Sequence, residues 1–367
     1  MSSKLKILGV SDVSVGYGSP QILSFMKSLS EYIGHAESVL LEPDQPEKPP
    51  VENLIAEINV KRIYTTFHPH SSPGRVEYIS NSTKKINKFK PDILVIFCTY
   101  SLPVLLKISY RPRYVIYYAI ESTSAYGMFD IELNRRIDKL VDLIIYPEEN
   151  RAKRDIELRG YKNIPSVILY NCANHDYEFS PLPSDQRNGR ILYAGTIDRD
   201  LTFADYYLNN KVQDYPIDLY GLIGGDNQQI LTESFFKLCG AERYLGYVEN
   251  IVLARLRKNY AYSIVMWNPI NDNFLYAAPN KFFESIFDCV PPIVAPHPQC
   301  KELVNRYKCG IVMDRWDYDS FCRSIEQALR IYGTLEYETM VGNCRKAIVK
   351  ELNWEKQFEK IERFLRI

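Results

Sequence analysis

Tyr276-Ala-Ala-Pro-Asn-Lys-Phe-Phe-Glu-Ser-Ile-Phe-Asp-Cys-Val-Pro-Pro-Ile-Val-Ala-Pro296 is the stretch on which the reading of the chain turns. Pro279 suits the first turn of a helix, where its missing N–H costs nothing. Phe282, Phe283, Ile286 and Phe287 then fall at helical spacing on one face. Val290 to Ala295 reads as a short buried strand that follows at once. The start of such a helix presents free N–H groups and the positive end of its dipole, which suits a phosphate. Lys281 adds a full charge in that turn. Glu284, one turn further in, offers a carboxylate to sugar hydroxyls. The plainer alternative is a core helix on which Lys281 and Glu284 are merely solvated.

The pattern extends upstream. Arg190-Ile-Leu-Tyr-Ala reads as a strand that ends on Gly195 and Thr196. Ile217-Asp-Leu-Tyr is a second strand, ending on Gly221. A helix is predicted from about Asn250 to Arg257, and a strand at Tyr262-Ser-Ile-Val-Met-Trp. Short strands alternating with helices make an α/β layer.

Pro-Asn-Lys-Phe-Phe-Glu-Ser-Ile-Phe-Asp-Cys-Val-Pro-Pro-Ile-Val resembles the donor-binding motif of GT-B glycosyltransferases, above all the large retaining family four. That motif reads Pro-x-Lys, two hydrophobic residues, Glu-x-hydrophobic-Ala-x-Gly-x-Pro-Val-Ile. The resemblance implies that Glu284 holds the nucleotide ribose and that Asn280 and Lys281 face the diphosphate. It likewise implies that Gly195 and Thr196 form the turn beside the diphosphate and that Tyr247 and Val248 read the base. Arg199 is a phosphate candidate, although Asp200-Leu-Thr follows it where the family continues its basic pair. Asp288 and Cys289 replace the usual small residues. A second family glutamate, eight positions before Glu284, is here Tyr276.

The first half matches more weakly. Lys6-Ile-Leu-Gly-Val-Ser reads as a first strand, followed by Val15-Gly-Tyr-Gly-Ser and a helix from about Pro20 to Ile33 with Ser19 as its cap. Gly16 and Gly18 let a ligand approach the backbone, but a full G-x-G-x-x-G is lacking, so a dinucleotide site is not supported. In the resembled family this loop faces the acceptor and the transferred sugar, which places Gly18 and Tyr17 there. Glu37 to Leu41 reads as a strand, and Glu42 to Pro50, rich in Pro, Glu and Asp, as a surface loop. His68 and His70 lie in a polar loop expected on the acceptor side. A metal is the weaker reading, because no neighbouring carboxylate or thiol in the sequence completes a set. Val76 to Phe89 reads as a basic amphipathic helix, usually a solvated face, and otherwise one that rests on anionic lipid. Pro91-Asp-Ile-Leu-Val-Ile-Phe-Cys and Tyr114-Val-Ile-Tyr-Tyr-Ala-Ile-Glu read as buried strands. Glu121 closes the second, at the carboxyl end where ligands gather, and is a catalytic candidate with Lys281 and Arg199. Helices are predicted from Phe129 to Val141 and from Arg151 to Arg159. Ser166-Val-Ile-Leu-Tyr-Asn-Cys-Ala-Asn-His-Asp resembles the segment that ends the family's first domain.

These readings imply a GT-B fold: two doubly wound Rossmann-like domains facing each other across a cleft. The expected domains are 1–180 on the acceptor side and 190–351 for the donor, with Pro181 to Gly189 as linker and 352–367 as a helix packing back on the first. Composition is that of a globular chain, with 46% hydrophobic and 25% charged residues. The formal net charge of zero excludes a strong global field for nucleic acid. Eight cysteines without C-x-x-C spacing read as small core residues in a reducing compartment rather than a zinc site. The absence of a long apolar run leads to a cytoplasmic expectation, with peripheral contact to the inner face of a membrane as an addition.

The expected function is therefore a metal-independent glycosyltransferase of the hexosyltransferase type, in polysaccharide biosynthesis, with no cofactor. Its partners would be a nucleotide sugar, UDP- or GDP-linked, and a glycan, lipid-linked or small-molecule acceptor. Retention at the anomeric carbon is implied by the resemblance alone. A nucleotide-sugar epimerase of the same fold is one alternative; five histidines with few clustered carboxylates argue against it. A non-catalytic binder of sugar nucleotides is the other, kept open by Tyr276, Asp288 and the incomplete basic pair.

Overall fold

A computed structural model describes residues 4–34, 36–50, 57–121, 135–136, 139–172, 179–225 and 228–365. The chain divides into two compact units, Met1–Tyr170 with Phe358–Ile367, and Asn171–Gln357. The division falls ahead of the polar stretch Pro181 to Gly189.

The first unit is built on a parallel sheet. Its strands are β1 (Lys6–Val10), β2 (Glu37–Pro43), β3 (Ile58–Ile63), β4 (Ile93–Phe97), β5 (Tyr114–Tyr118), β6 (Leu143–Tyr146) and β7 (Ser166–Ile168). The order is β3-β2-β1-β4-β5-β6-β7, with every pair parallel. Central strands of such a sheet are covered on both faces, so they read as unbroken apolar runs. Ile-Leu-Val-Ile-Phe of β4 is wholly buried. The strand order reverses between β1 and β4, which is where open α/β sheets form a crevice at their carboxyl ends.

The second unit repeats the plan with β8 (Ile191–Ala194), β9 (Ile217–Tyr220), β10 (Tyr244–Gly246), β11 (Tyr262–Val265), β12 (Pro292–Val294) and β13 (Ile311–Val312). The order is β10-β9-β8-β11-β12-β13, again all parallel. Here the reversal lies between β8 and β11. The helix Asn280–Phe287 leads into β12, as its sequence predicts, and buries Phe282, Phe283, Ile286 and Phe287. Each fully buried side chain of this size contributes about 1.5–3 kcal/mol.

Several expectations are corrected. Ser19 is not a cap: it sits at φ 50°, and the helix Gln21–Tyr32 starts after Pro20 without a side-chain cap. Glu42 belongs to β2 rather than to a loop, and it is buried because Arg62 of β3 pairs with it at 2.9 Å. The basic helix spans Ser72–Phe89, starting before Val76, because Ser71 accepts from the Gly74 N–H and Pro73 fits the first turn. The helix Glu149–Arg159 likewise starts early, capped by Glu148. Cys98, Cys172, Cys289, Cys300, Cys309, Cys322 and Cys344 are buried, as small core residues should be. The helix expected from Phe129 to Val141 and the Ala173–Asp176 segment lie largely outside the described residues. No helix among the described residues is long and apolar enough to cross a membrane.

Candidate functional site

The site in the second unit begins with two glycines. Gly195 follows β8 at φ 144°, and Gly221 follows β9 at φ 146°. Their backbones touch: a Cβ on Gly221 would stand 1.7 Å from the Gly195 carbonyl oxygen. Only glycine fits such an approach. The Gly195 N–H donates to the Tyr220 carbonyl, and the Gly221 N–H to the Gly246 carbonyl, both at 2.9 Å. Three strand ends are thereby laced together, and the last carries Tyr247 and Val248. Tyr247 is exposed, and Val248 packs against Leu192, Tyr220 and Tyr260.

Lys281 reaches this glycine turn. A Cβ on Gly195 would lie 2.8 Å from Lys281 Nζ. The ammonium is closed to solvent, and no hydrogen-bond acceptor meets it among the described residues. It lies 4.6 Å from the Tyr193 ring centroid and 4.9 Å from that of Trp267. Burial lowers its pKa to about 8, opposed in part by Glu284. The aromatic faces compensate a fraction of the lost hydration. The Asn280–Phe287 helix starts after Pro279, which is its cap residue rather than its first helical one, and no side chain caps it. Asn280 and Lys281 therefore open that helix together.

Glu284 is held by Arg257, whose Nη1 lies 2.8 Å from Glu284 Oε2. The same guanidinium bonds Asp288 through Nε at 2.6 Å. Asp288, which the sequence reading marks as a departure, is thus the second anchor of the arginine. Burial raises the Asp288 pKa, with Arg257 opposing. Cys289 stands where the resembled motif has glycine, and it adopts the left-handed φ of 55° that glycine would take. Its carbonyl accepts from Arg187 at 2.9 Å.

The remaining candidates in this unit are less convergent. Thr196 is exposed, and its carbonyl accepts from the Tyr193 hydroxyl at 2.5 Å. Arg199 opens the short helix Arg199–Thr202, capped by Asp198, and its Nε is 2.9 Å from Asp205. It is engaged there. Asp317 caps the helix Tyr318–Ile331 by accepting from the Ser320 N–H. A cavity of 460 Å³ beside β13, lined by Asn305, Lys308, Glu336 and Asn343 among others, contains none of the predicted residues.

In the first unit, Gly18 is exposed at φ 147°, and Tyr17 donates to the Pro49 carbonyl at 2.7 Å. Glu121 follows β5, 3.6 Å from Arg151. His68 Nε2 lies 3.2 Å from Glu47, and His70 Nε2 lies 3.2 Å from the Asp12 carbonyl oxygen. The carboxylate that seemed missing beside the histidines is therefore supplied by Glu47, from a distant loop. Even so, no group of three or more metal-ligating side chains occurs among the described residues.

The sequence reading did not single out Arg257, Tyr193 or Trp267. Arg257 ends a predicted helix and looks like an ordinary solvated residue. Its signal was indirect: a second carboxylate, Asp288, one turn after Glu284 on an otherwise apolar helix.

No model of a known protein family matches the sequence, and no curated protein matches it. Solved structures do. Sucrose-phosphate synthase from Thermosynechococcus elongatus is similar over 99% of this chain and 98% of its own, at 15% identity and TM-score 0.73. HepE of Anabaena, solved in complex with UDP, is similar over 98% of this chain and 99% of its own, at 15% identity and TM-score 0.70. WaaG, a glycosyltransferase involved in lipopolysaccharide biosynthesis, is similar over 98% of this chain and all of its own, at 11% identity and TM-score 0.70. The fold is that of the GT-B glycosyltransferases, with two Rossmann-like units.

Proposed function

We propose that the chain is a glycosyltransferase that moves a hexosyl unit from a UDP- or GDP-linked donor to a glycan, lipid-linked or small-molecule acceptor. The observation that carries this reading is the Lys281 ammonium, closed to water, without an acceptor among the described residues, and set against two mutually touching glycine turns. A cation so placed is stabilised when an anion arrives. A diphosphate gains charge as the sugar–oxygen bond breaks, so Lys281 and the helix start beside it would hold the leaving group more strongly in the transition state. Glu284, fixed by Arg257, would accept from the ribose hydroxyls. The turn at Tyr247 and Val248 would meet the base. Arg199 would join the phosphates only by exchanging Asp205 for them. Glu121 would serve on the acceptor side with Tyr17, His68 and His70. Metal independence rests on the ammonium taking the part of the cation, and retention on the resemblance to family four.

Exposed Lys84, Lys85 and Lys88 on the Ser72–Phe89 helix support a peripheral cytoplasmic contact with anionic lipid, which suits a lipid-linked acceptor. The test is nucleotide release from UDP- and GDP-sugars in excess EDTA. Release should persist. Loss with rescue by magnesium or manganese would contradict metal independence. Nucleotide binding without release from any donor, acceptors included, would leave a binder rather than an enzyme.

A further inference from the structure

His297 stands in the turn between β12 and the helix Pro298–Tyr307, closed to solvent. It is the residue before that helix, yet its side chain does not cap it. The ring turns instead to the segment that follows β11. Its Nε2 accepts from the Trp267 backbone N–H at 3.2 Å, and its Nδ1 meets the Leu275 carbonyl oxygen at 3.2 Å. These two partners fix the proton. A backbone N–H only donates and a carbonyl only accepts, so Nε2 carries the lone pair and Nδ1 the hydrogen. An imidazolium would set a second N–H against that of Trp267, so the ring makes both bonds only when neutral.

Both bonds converge on one indole. The first fixes the backbone of Trp267, whose ring lies 4.9 Å from Lys281 Nζ. The second fixes Leu275, the neighbour of Phe274 in the short helix Asp272–Leu275, and the Phe274 ring backs the indole at 5.9 Å. Asn268 ties the same turn to the helix Arg199–Thr202. Its backbone N–H donates to the Leu201 carbonyl at 2.8 Å, and its side-chain amide to the Asp200 carbonyl at 2.7 Å. Trp267 is only half-buried, so such ties keep its ring in place more than packing does. Tyr193, the other ring on Lys281, belongs to β8 and is wholly buried. Of these two rings, one is built into the sheet and the other is carried by a turn that His297 holds.

We infer that His297 is a positioning residue: as the neutral Nδ1–H tautomer it pins the Trp267 indole over Lys281 and keeps water from the ammonium. That this shelter serves a departing diphosphate rests on the transferase reading above; the pinning itself does not.

The test is NMR of the full chain, isotopically labelled at the lysine ε carbon and the histidine ring nitrogens, with Lys281 assigned by its loss in Lys281→Met. His297 should appear as the neutral Nδ1–H tautomer at neutral pH, and Lys281 should titrate at about 8. His297→Phe keeps a flat ring and removes both bonds, so Lys281 should titrate above about 9, nearer its ordinary value. His297→Gln restores an acceptor where Nε2 stood and should return Lys281 to the parent value. Glu284, which opposes the lowering, is common to all these variants. A charged or Nε2–H ring, a Lys281 titration unmoved by phenylalanine, or one moved equally by phenylalanine and glutamine would overturn the inference. If His297→Phe does not fold, His297→Asn, too short to reach the Trp267 N–H, takes its place with the same expectation. UDP and GDP binding by the parent separates the two readings. Lys281 released by phenylalanine in a chain that binds neither nucleotide keeps the pinning and loses the transferase; nucleotide binding with Lys281 unmoved does the opposite.

Discussion

Closing an ammonium off from water without an acceptor costs free energy, and Lys281 stands in that condition beside Gly195. Replacing it by methionine should therefore stabilise the unliganded protein, by about 1–3 kcal/mol, while donor turnover falls by far more than donor affinity. Chemical denaturation and steady-state kinetics on Lys281→Met check both halves; a less stable variant with normal turnover would return Lys281 to a packing role. The pH dependence has a fixed sign. The folded pKa, about 8, lies below the ordinary 10.5, so the unfolded chain holds more protons between those values. Stability should rise with pH across that interval, and Lys281→Met should flatten the slope. Asp12 acts in the other direction. Burial raises its pKa from 3.8 to about 7, with a nearby Glu121 adding to it. The folded chain then holds the extra proton, so its contribution is full below pH 3.8 and is lost as pH rises to about 7. Denaturation midpoints of Asp12→Asn against the parent between those limits should show the missing slope; parallel curves would mean that Asp12 is ionised in the fold.

Among elements, the two glycine turns allow a direct contrast. Gly221→Ala sets a methyl group against the Gly195 carbonyl and must also hold φ 146°, so it should lose well over the roughly 1–3 kcal/mol of backbone strain alone. Gly18→Ala meets open space at a similar φ and should lose only the strain. Equal losses would show that the close approach is not what the glycine serves. Such elements differ in how far their sequence announces them. The Asn280–Phe287 helix was legible because its apolar residues recur at one period and β12 follows without a loop. The strands were legible because burial on both faces leaves apolar runs with no alternation to misread. Helix starts were harder. Pro73 and Gly74 lower the helical signal of Ser72–Phe89, while the bond from Ser71 that offsets them is a matter of geometry. Glu42 looked like loop because a charge in a central strand is improbable until Arg62 is known to lie beside it. Arg257 was missed for the same reason: its partners Glu284 and Asp288 come from a helix distant in sequence.

At the scale of the molecule, two parallel sheets follow one rule: strand order reverses beside the first strand, and the loops there carry the unusual residues. Gly195 and Lys281 mark the reversal of the second sheet, and Asp12 and Cys98 that of the first. Identity of only 11–15% to solved structures of the same fold shows what such a chain can change, since apolar runs and turn geometry suffice for the architecture. Cys289 in a left-handed conformation that the resembled motif assigns to glycine is one instance. The central claim concerns what the second sheet's reversal holds, and calorimetric titration of the full chain with UDP and GDP across pH 7 to 9.5, beside Lys281→Met, tests it most directly. The account predicts that one nucleoside diphosphate binds, raising the melting temperature by linkage, that its affinity declines as pH passes about 8, and that the variant binds about ten- to a hundred-fold more weakly. Affinity that is independent of pH and equal in the variant, or no binding of either nucleotide, would contradict it.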